Sequence, residues 1–160
     1  MNIQDIAKIK HLLSSKKKIV IVPHRNPDGD AIGSTLGLYH YLLKDNHQVN
    51  VITPNDYPNF LKWIPGEETI LKHDSQTKIC DSLIDEAEII FTLDFNALHR
   101  TGAMEAVLAS SNAIKIMIDH HQAPDTYATY VFSDVTMSST CEMVYHFIEM
   151  LGDADTIDAD

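Results

Sequence analysis

Short apolar runs alternate with segments of helical periodicity along this chain, and this alternation limits the fold more than any other feature. Three of the runs occupy residues 19–22, 89–93 and 113–118. Continuous apolar runs of this length are typical of strands buried on both faces, as in a parallel sheet covered by helices. The sequence therefore predicts an α/β fold, Rossmann-like, with a mainly parallel sheet and helices on both faces.

Local patterns predict further elements around these strands. Apolar residues at helical spacing predict helices over residues 3–13 and about 32–44, and residues 48–53 fit a short strand. Asp74 is expected to cap a helix whose residues Ile79, Leu83 and Ile84 face the core. Ser139 and Glu142 have the spacing of a capping box, which predicts the start of the last helix.

The composition limits the class of protein. The chain has 160 residues with 44% hydrophobic and 22% charged residues, as expected for one globular domain with a real core and no membrane span. Its first residues include an acid and lack a long apolar run, so we expect no signal peptide and a cytoplasmic location. The net charge of −11 argues against binding to long duplex DNA, but it allows a small anionic substrate.

Several side chains outside these patterns receive ordinary structural interpretations. Cys80 and Cys141 stand in apolar surroundings without metal-ligand spacing, so both are expected to be buried thiols. His40 and His47 are expected at the surface. Trp63 lies in a proline-rich connection, where packing beneath a loop is favoured over a role in base stacking.

The turn after the first apolar run concentrates chemistry in a few residues. His24, Asp28 and Asp30 fall within a segment that links the first predicted strand to a helix. An Asx turn with an N-cap would explain the two aspartates structurally. Two ionised carboxylates beside an imidazole repel each other, however, and a bound divalent cation would make such crowding favourable.

Acidic and imidazole side chains also follow the later strands. Because the carboxyl ends of parallel strands meet at one edge of a sheet, these groups should converge in one crevice with the first turn. The converging residues are His24, Asp28, Asp30, Asp94, Asp119, His120 and His121. Oxygen and imidazole ligands suit Mn²⁺ or Mg²⁺, with Zn²⁺ and Co²⁺ as alternatives.

A shared carboxylate would hold two such ions about 3.5 to 4 Å apart, an arrangement suited to phosphoryl transfer by a metal-activated hydroxide. Asp94 is the expected bridge, because its strand should lie between those that carry the other two loops.

These motifs together resemble the DHH family of phosphoesterases. The similar segments are His-Arg-Asn-Pro-Asp-Gly-Asp-Ala-Ile-Gly-Ser at residues 24–34, Asp94 with Arg-Thr-Gly at 100–102, Asp-His-His at 119–121 and Ser-Ser-Thr-Cys-Glu at 138–142. The resemblance runs from about residue 19 to residue 151. It implies that His24 and Asp28 hold one metal ion with Asp94 as the bridge, and that Asp30 and His120 hold the second.

The resemblance also implies substrate contacts. His121 would face the substrate phosphate and act in catalysis, and Asp119 would orient the neighbouring histidines. Arg100 is a candidate phosphate contact, with an ion pair at a helix end as the alternative. Ser139 is another candidate at a helix N-terminus, with capping alone as the alternative.

Family members normally carry one more aspartate ligand after the third motif, and then a smaller substrate-binding domain of the DHHA1 type. Residues 1–160 are therefore expected to be the catalytic domain, truncated before that second domain. The acids at the end of the sequence are not assigned as the missing ligand.

The sequence of the first motif most resembles that of the family branch with nano-RNases, 3′-phosphoadenosine-5′-phosphate phosphatases and cyclic dinucleotide phosphodiesterases. The resemblance thus implies a Mn²⁺-dependent enzyme for short single-stranded oligoribonucleotides or small nucleotides, and a homodimer is left open. A RecJ-like exonuclease, a manganese pyrophosphatase and a catalytically inactive nucleotide-binding domain are the alternatives.

Overall fold

The computed structural model describes residues 3–157 and contains six strands and five α-helices in that range. In chain order the elements are α1 (Ile3–Leu13), β1 (Lys18–Pro23), α2 (Gly29–Leu43), β2 (Gln48–Thr53), β3 (Leu71–Lys72), α3 (His73–Glu86), β4 (Ile89–Leu93), α4 (Glu105–Ser110), β5 (Ile114–Asp119), β6 (Tyr130–Ser133) and α5 (Thr140–Leu151). Short 3₁₀ turns lie in the connections, at Asn59–Leu61, Glu67–Thr69, Leu98–Met104 and Ala154–Thr156.

The six strands form one parallel sheet in the order β3-β2-β1-β4-β5-β6. The predicted apolar runs supply its three central strands, and every residue of β4 is buried. Such continuous burial requires cover on both faces of the sheet.

Helices provide that cover on both faces. On β1, Ile19 and Ile21 pack into a core formed with α1, α2 and α5, whereas Val20 and Val22 pack into a second core with α3 and α4. This division follows from the two-residue side-chain period of a strand. The α/β fold with a parallel sheet and helices on both faces is confirmed.

The prediction for α3 was wrong in its details. The helix begins at His73 and its N-cap residue is Lys72, so Asp74 lies within the first turn and does not cap it. The buried face follows Cys80 and Ile84, while Ile79 is exposed. The cause is the helical period: residues at i and i+4 share a face, and Ile79 is one position out of phase with that pair.

Three of the ordinary interpretations were also wrong. Cys141 is exposed, although Cys80 is a buried thiol as predicted. His47 is buried, whereas His40 is exposed as predicted. Trp63 is 77% exposed and therefore does not pack beneath a loop.

Across residues 3–157, no helix combines the length and the apolar character that crossing a bilayer requires.

Candidate metal centre at the carboxyl edge of the sheet

The register of the three central strands aligns the predicted site residues. Pro23 of β1 pairs with Leu93 of β4, and Leu93 pairs with Ile118 of β5. The next residue along each strand is His24, Asp94 or Asp119, so these three polar side chains begin at the same level of the sheet. The predicted convergence of distant loops at one sheet edge is therefore present.

Asp94 occupies the middle of this edge and is only 2% exposed. Its φ of 65° lies in the left-handed region, which Asp and Asn tolerate better than most residues. Its Oδ2 lies 3.5 Å from Nε2 of His24, and its Oδ1 lies 3.5 Å from Nε2 of His120. One buried carboxylate thus faces imidazoles from two neighbouring strand ends.

Two groups of potential metal ligands share Asp94. His24, Asp28 and Asp94 form one group, and Asp94 forms the other with His120 and His121. Within each group, the ligand atoms all lie within 4.8 Å of one another. The second group contains His121, for which the family resemblance implied a substrate contact, and it lacks Asp30.

Asp28 has the structural role that was considered as an alternative. Its Oδ1 accepts hydrogen bonds from the backbone N–H groups of Asp30 and Ala31, at 3.0 and 3.1 Å, and so caps α2. This bond fixes the carboxylate beside His24, where it also belongs to the first ligand group. Capping and metal binding are therefore compatible uses of Asp28.

The His24 ring is oriented by its own turn. Its Nδ1 lies 2.8 Å from the carbonyl oxygen of Arg25, which can only accept, so Nδ1 carries the proton. The lone pair of neutral His24 is therefore on Nε2, the atom that faces Asp94. Burial lowers the pKa of His24, but hydrogen bonds to Asp94 and Arg25 and the nearby carboxylates outweigh burial and raise the pKa overall.

Asp30 is held by the N-terminus of α5. Its Oδ2 accepts from the backbone N–H of Thr140 at 2.7 Å, and its Oδ1 accepts from that of Cys141 at 2.8 Å. The same Oδ2 lies 3.7 Å from Nε2 of His120. Asp30 is thus brought close to the residue with which it was predicted to bind the second ion.

Asp119 lies behind the histidines and is fully buried. Its Oδ1 is 2.7 Å from Nδ1 of His121, a distance that fits the predicted orienting role. Its Oδ2 is buried and lacks a hydrogen-bond partner within residues 3–157.

The charge of this edge fits divalent cations. Asp28, Asp30, Asp94 and Asp119 lie together, and the ion-pair partners that residues 3–157 provide for them are all imidazoles. Asp94 and Asp119 are buried, and buried carboxylates without a compensating cation are costly. Carboxylate oxygens and imidazole nitrogens without thiolates match the preferences of Mn²⁺ and Mg²⁺.

The predicted phosphate contacts lie near this edge. Arg100 is half-buried, and its guanidinium forms no ion pair with any residue that the structure describes, so the alternative of a helix-end pair is not observed. The hydroxyl of Ser139 caps α5 by accepting from the N–H of Glu142. The Glu142 carboxylate accepts a hydrogen bond from the backbone N–H of Ser138 rather than from that of the N-cap residue Ser139. The second hydrogen bond of the capping box is therefore shifted by one residue toward the N-terminus.

Sequence reasoning did not single out two residues at this edge. Thr140 lies between Asp30 and Asp94, and its hydroxyl donates to Asp94. Arg25 is exposed beside His24, and its backbone N–H donates to the carbonyl of Arg100 at 2.8 Å. The signal for Arg25 was present, because it belongs to the first motif.

The fold and the site together define a class: a parallel α/β domain with a candidate divalent-metal centre at the carboxyl edge of its sheet. The particular family follows from comparison. The family described as "DHH family, N-terminal domain" matches residues 18–159, and the chain belongs to this family.

Several known proteins are similar to this chain. The bifunctional oligoribonuclease and PAP phosphatase NrnA of Thermus thermophilus is 30% identical over 134 residues, which are 84% of this chain and 37% of NrnA. The cyclic-di-AMP phosphodiesterase PdeA of Listeria monocytogenes is 20% identical over 157 residues, which are 93% of this chain and 24% of PdeA.

A crystal structure of an exopolyphosphatase-related protein from Bacteroides fragilis is also similar. It superposes with a TM-score of 0.92 and 46% identity, and the match covers 94% of this chain and 44% of that protein. The chain thus spans less than half the length of each of these three proteins.

Proposed function

We propose that this chain is the catalytic domain of a divalent-metal-dependent phosphoesterase that hydrolyses short oligoribonucleotides or small nucleotide phosphoesters. The observation that carries the proposal is the position of Asp94, whose two carboxylate oxygens face two different groups of ligands. This arrangement supports two ions with one shared carboxylate, which would suit two-metal phosphoryl transfer.

The proposed ligands divide about Asp94. His24 and Asp28 would hold one ion, and His120 with Asp30 would hold the other. When bound, two Mn²⁺ ions, or alternatively Mg²⁺, Co²⁺ or Zn²⁺, would lower the pKa of a water molecule and offset charge on the reacting phosphate. The short distances of His120 from both Asp30 and Asp94 support this division.

The remaining polar groups are proposed to act on the substrate. Nδ1 of His121 is held by Asp119 at 2.7 Å, so Nε2 is left to face the phosphate or the leaving group. Arg100 would stabilise negative charge, and its lack of an ion pair among residues 3–157 supports this use. Ser139 would contribute a hydroxyl donor, since its capping bond uses the oxygen only as an acceptor.

Charge and similarity together support a small substrate. A net charge of −11 disfavours the basic groove that a RecJ-like exonuclease would need for a long strand. NrnA and PdeA are named for oligoribonuclease, phosphatase and cyclic dinucleotide phosphodiesterase activities. We therefore favour small nucleotides over long nucleic acids, pyrophosphate or a purely regulatory role.

The similar proteins extend well beyond the matched region, as their covered shares of 37% and 44% indicate. We propose that residues 1–160 form the catalytic domain and that a DHHA1-type substrate-binding domain lies outside this sequence. A cytoplasmic location and a homodimer stay predictions.

Hydrolysis assays of the full-length protein with Mn²⁺ test the proposed function. The substrates are RNA of two to five nucleotides, 3′-phosphoadenosine-5′-phosphate, cyclic diadenylate and pyrophosphate, with a matched Asp94→Asn preparation as the control for contaminating enzymes. We expect turnover of at least one nucleotide by the wild type only. Turnover of pyrophosphate alone would overturn the nucleotide assignment, and no turnover of any substrate would overturn the phosphoesterase proposal.

A further inference from the structure

Thr140 contacts two candidate metal ligands with two different donors. Its backbone N–H donates to Oδ2 of Asp30 at 2.7 Å, and its hydroxyl donates to Oδ1 of Asp94 at 3.0 Å. Asp30 belongs to the turn after β1, and Asp94 follows β4. One buried residue therefore connects two ligands that come from separate strand ends.

The element that carries Thr140 is firmly anchored. Ser139 caps α5, and Phe147 in the same helix is fully buried against Phe91 of β4, with ring centroids 5.9 Å apart. Thr140 is the first residue of this helix and is itself fully buried. Its two donors thus have fixed positions relative to the sheet.

We propose that Thr140 is a positioning residue that sets the separation and orientation of Asp30 and Asp94, and thereby the affinity of the site for divalent cations. This inference rests on the metal-dependent function proposed above. Two neighbouring carboxylates repel each other when no cation is bound. Hydrogen bonds to the charged forms, together with the positive end of α5, oppose that repulsion and keep both carboxylates ready for the ions.

The chain permits variants that separate the two donors of Thr140. Thr140→Val removes the hydroxyl at nearly constant volume, and Thr140→Ser restores it. Thr140→Ala also removes the hydroxyl, whereas Thr140→Pro removes both the hydroxyl and the N–H. Proline is tolerated at the first helical position, and Ser139 already has the extended backbone (ψ 160°) that a following proline requires.

Titration of each metal-free variant with Mn²⁺, followed by calorimetry or by the electron paramagnetic resonance of free Mn²⁺, tests the inference without an activity assay. We expect Thr140→Val and Thr140→Ala to weaken Mn²⁺ binding about 10- to 100-fold. Thr140→Ser should bind like the wild type. Thr140→Pro should bind about tenfold more weakly than Thr140→Ala, because it also removes one of the two backbone donors that hold Asp30.

Thr35→Val is the matched control, because Thr35 is a fully buried threonine in α2 whose hydroxyl donates to the carbonyl of Ala31. It should keep wild-type affinity for Mn²⁺. Equal affinities in wild type and Thr140→Val, or an equal loss in Thr35→Val, would overturn the role of Thr140 and leave the proposed function intact. A wild-type chain that binds no Mn²⁺ would overturn both.

Discussion

The imidazole Nδ1 of His121 lies 2.7 Å from Oδ1 of Asp119, a carboxylate that is fully buried at the end of β5. A buried carboxylate in this position fixes the ring orientation and leaves Nε2 directed away from the pair. The second carboxylate oxygen, Oδ2, has no hydrogen-bond partner in the region that the structure describes. The buried Asp119 carboxylate therefore differs from an ordinary core side chain, whose polar atoms all have hydrogen-bond partners.

Replacing Asp119 with Asn tests the orienting role. The amide keeps the size of the side chain but loses the charge, so His121 should adopt its productive orientation less often. We expect a decrease of about 10- to 100-fold in kcat/KM for the preferred nucleotide. Asp81→Asn is the matched control, because Asp81 lies 2.9 Å from His73 in a similar pair on α3. An equal decrease in both variants would contradict a specific role for Asp119.

Asp94→Asn is expected to abolish metal-dependent activity while preserving the fold. Asn tolerates the left-handed backbone of this position, where φ is 65°, better than Ala does. Losing the shared carboxylate should lower kcat by about a thousandfold or more, given the several kcal/mol that metal ions contribute to such reactions. Steady-state rates at saturating Mn²⁺ provide the measurement.

The same variant should change the response of stability to metal. Mn²⁺ at about one hundred times its Kd should stabilise the wild-type fold by about 2.7 kcal/mol for each ion bound, and Asp94→Asn should lose this gain. Without metal, the variant should lose at most about 1 kcal/mol of stability relative to the wild type, because the substitution removes one of several neighbouring negative charges. An active variant, or one that Mn²⁺ stabilises fully, would refute the bridging role.

The positions of His24, Asp94 and Asp119 could be predicted because they depend on strand ends. Each follows a continuous apolar run, and the parallel register then brings the three to one edge. The role proposed for Thr140 could not be predicted in this way. Its contacts with Asp30 and Asp94 depend on how α5 packs against the sheet, which no local pattern in the sequence encodes.

Trp63 illustrates a different limit, because hydrophobic residues in loops need not be buried. It is the only tryptophan of the chain and is 77% exposed. Its environment depends on the path of the long connection between β2 and β3, and a sequence pattern does not determine that path.

Truncating Trp63 should therefore have little effect on folding. We expect Trp63→Ala to change the free energy of unfolding by no more than about 0.5 kcal/mol, whereas Phe91→Ala, at a fully buried position, should cost about 3 to 5 kcal/mol. Urea unfolding followed by circular dichroism gives both values. In the wild type, acrylamide should quench Trp63 fluorescence nearly as well in the native state as in urea, and strong native protection would contradict the exposed position.

His47 was expected at the surface, but it is buried in the short connection from α2 to β2. Its Nδ1 accepts a hydrogen bond from the backbone N–H of Lys17 at 3.2 Å. Its Nε2 is buried without a partner among residues 3–157. Protonation of Nδ1 would remove the lone pair that accepts this hydrogen bond, so the bond stabilises the neutral form of the ring.

Stability should consequently decrease as the pH falls below the ordinary His pKa of about 6.5. Burial lowers the pKa of His47, an effect that nearby Lys17 reinforces and Asp45 opposes. The unfolded chain therefore binds a proton at higher pH than the folded chain does, and protonation favours unfolding. Urea unfolding at pH 7 and pH 5 of wild type and His47→Asn measures the effect.

Asn can still accept the Lys17 hydrogen bond but does not titrate, so the loss of stability between these two pH values should be smaller in His47→Asn than in the wild type. His40→Asn, at an exposed histidine, is the control for the loss of one imidazole. Equal pH dependence in the wild type and His47→Asn would show that His47 does not contribute to acid sensitivity.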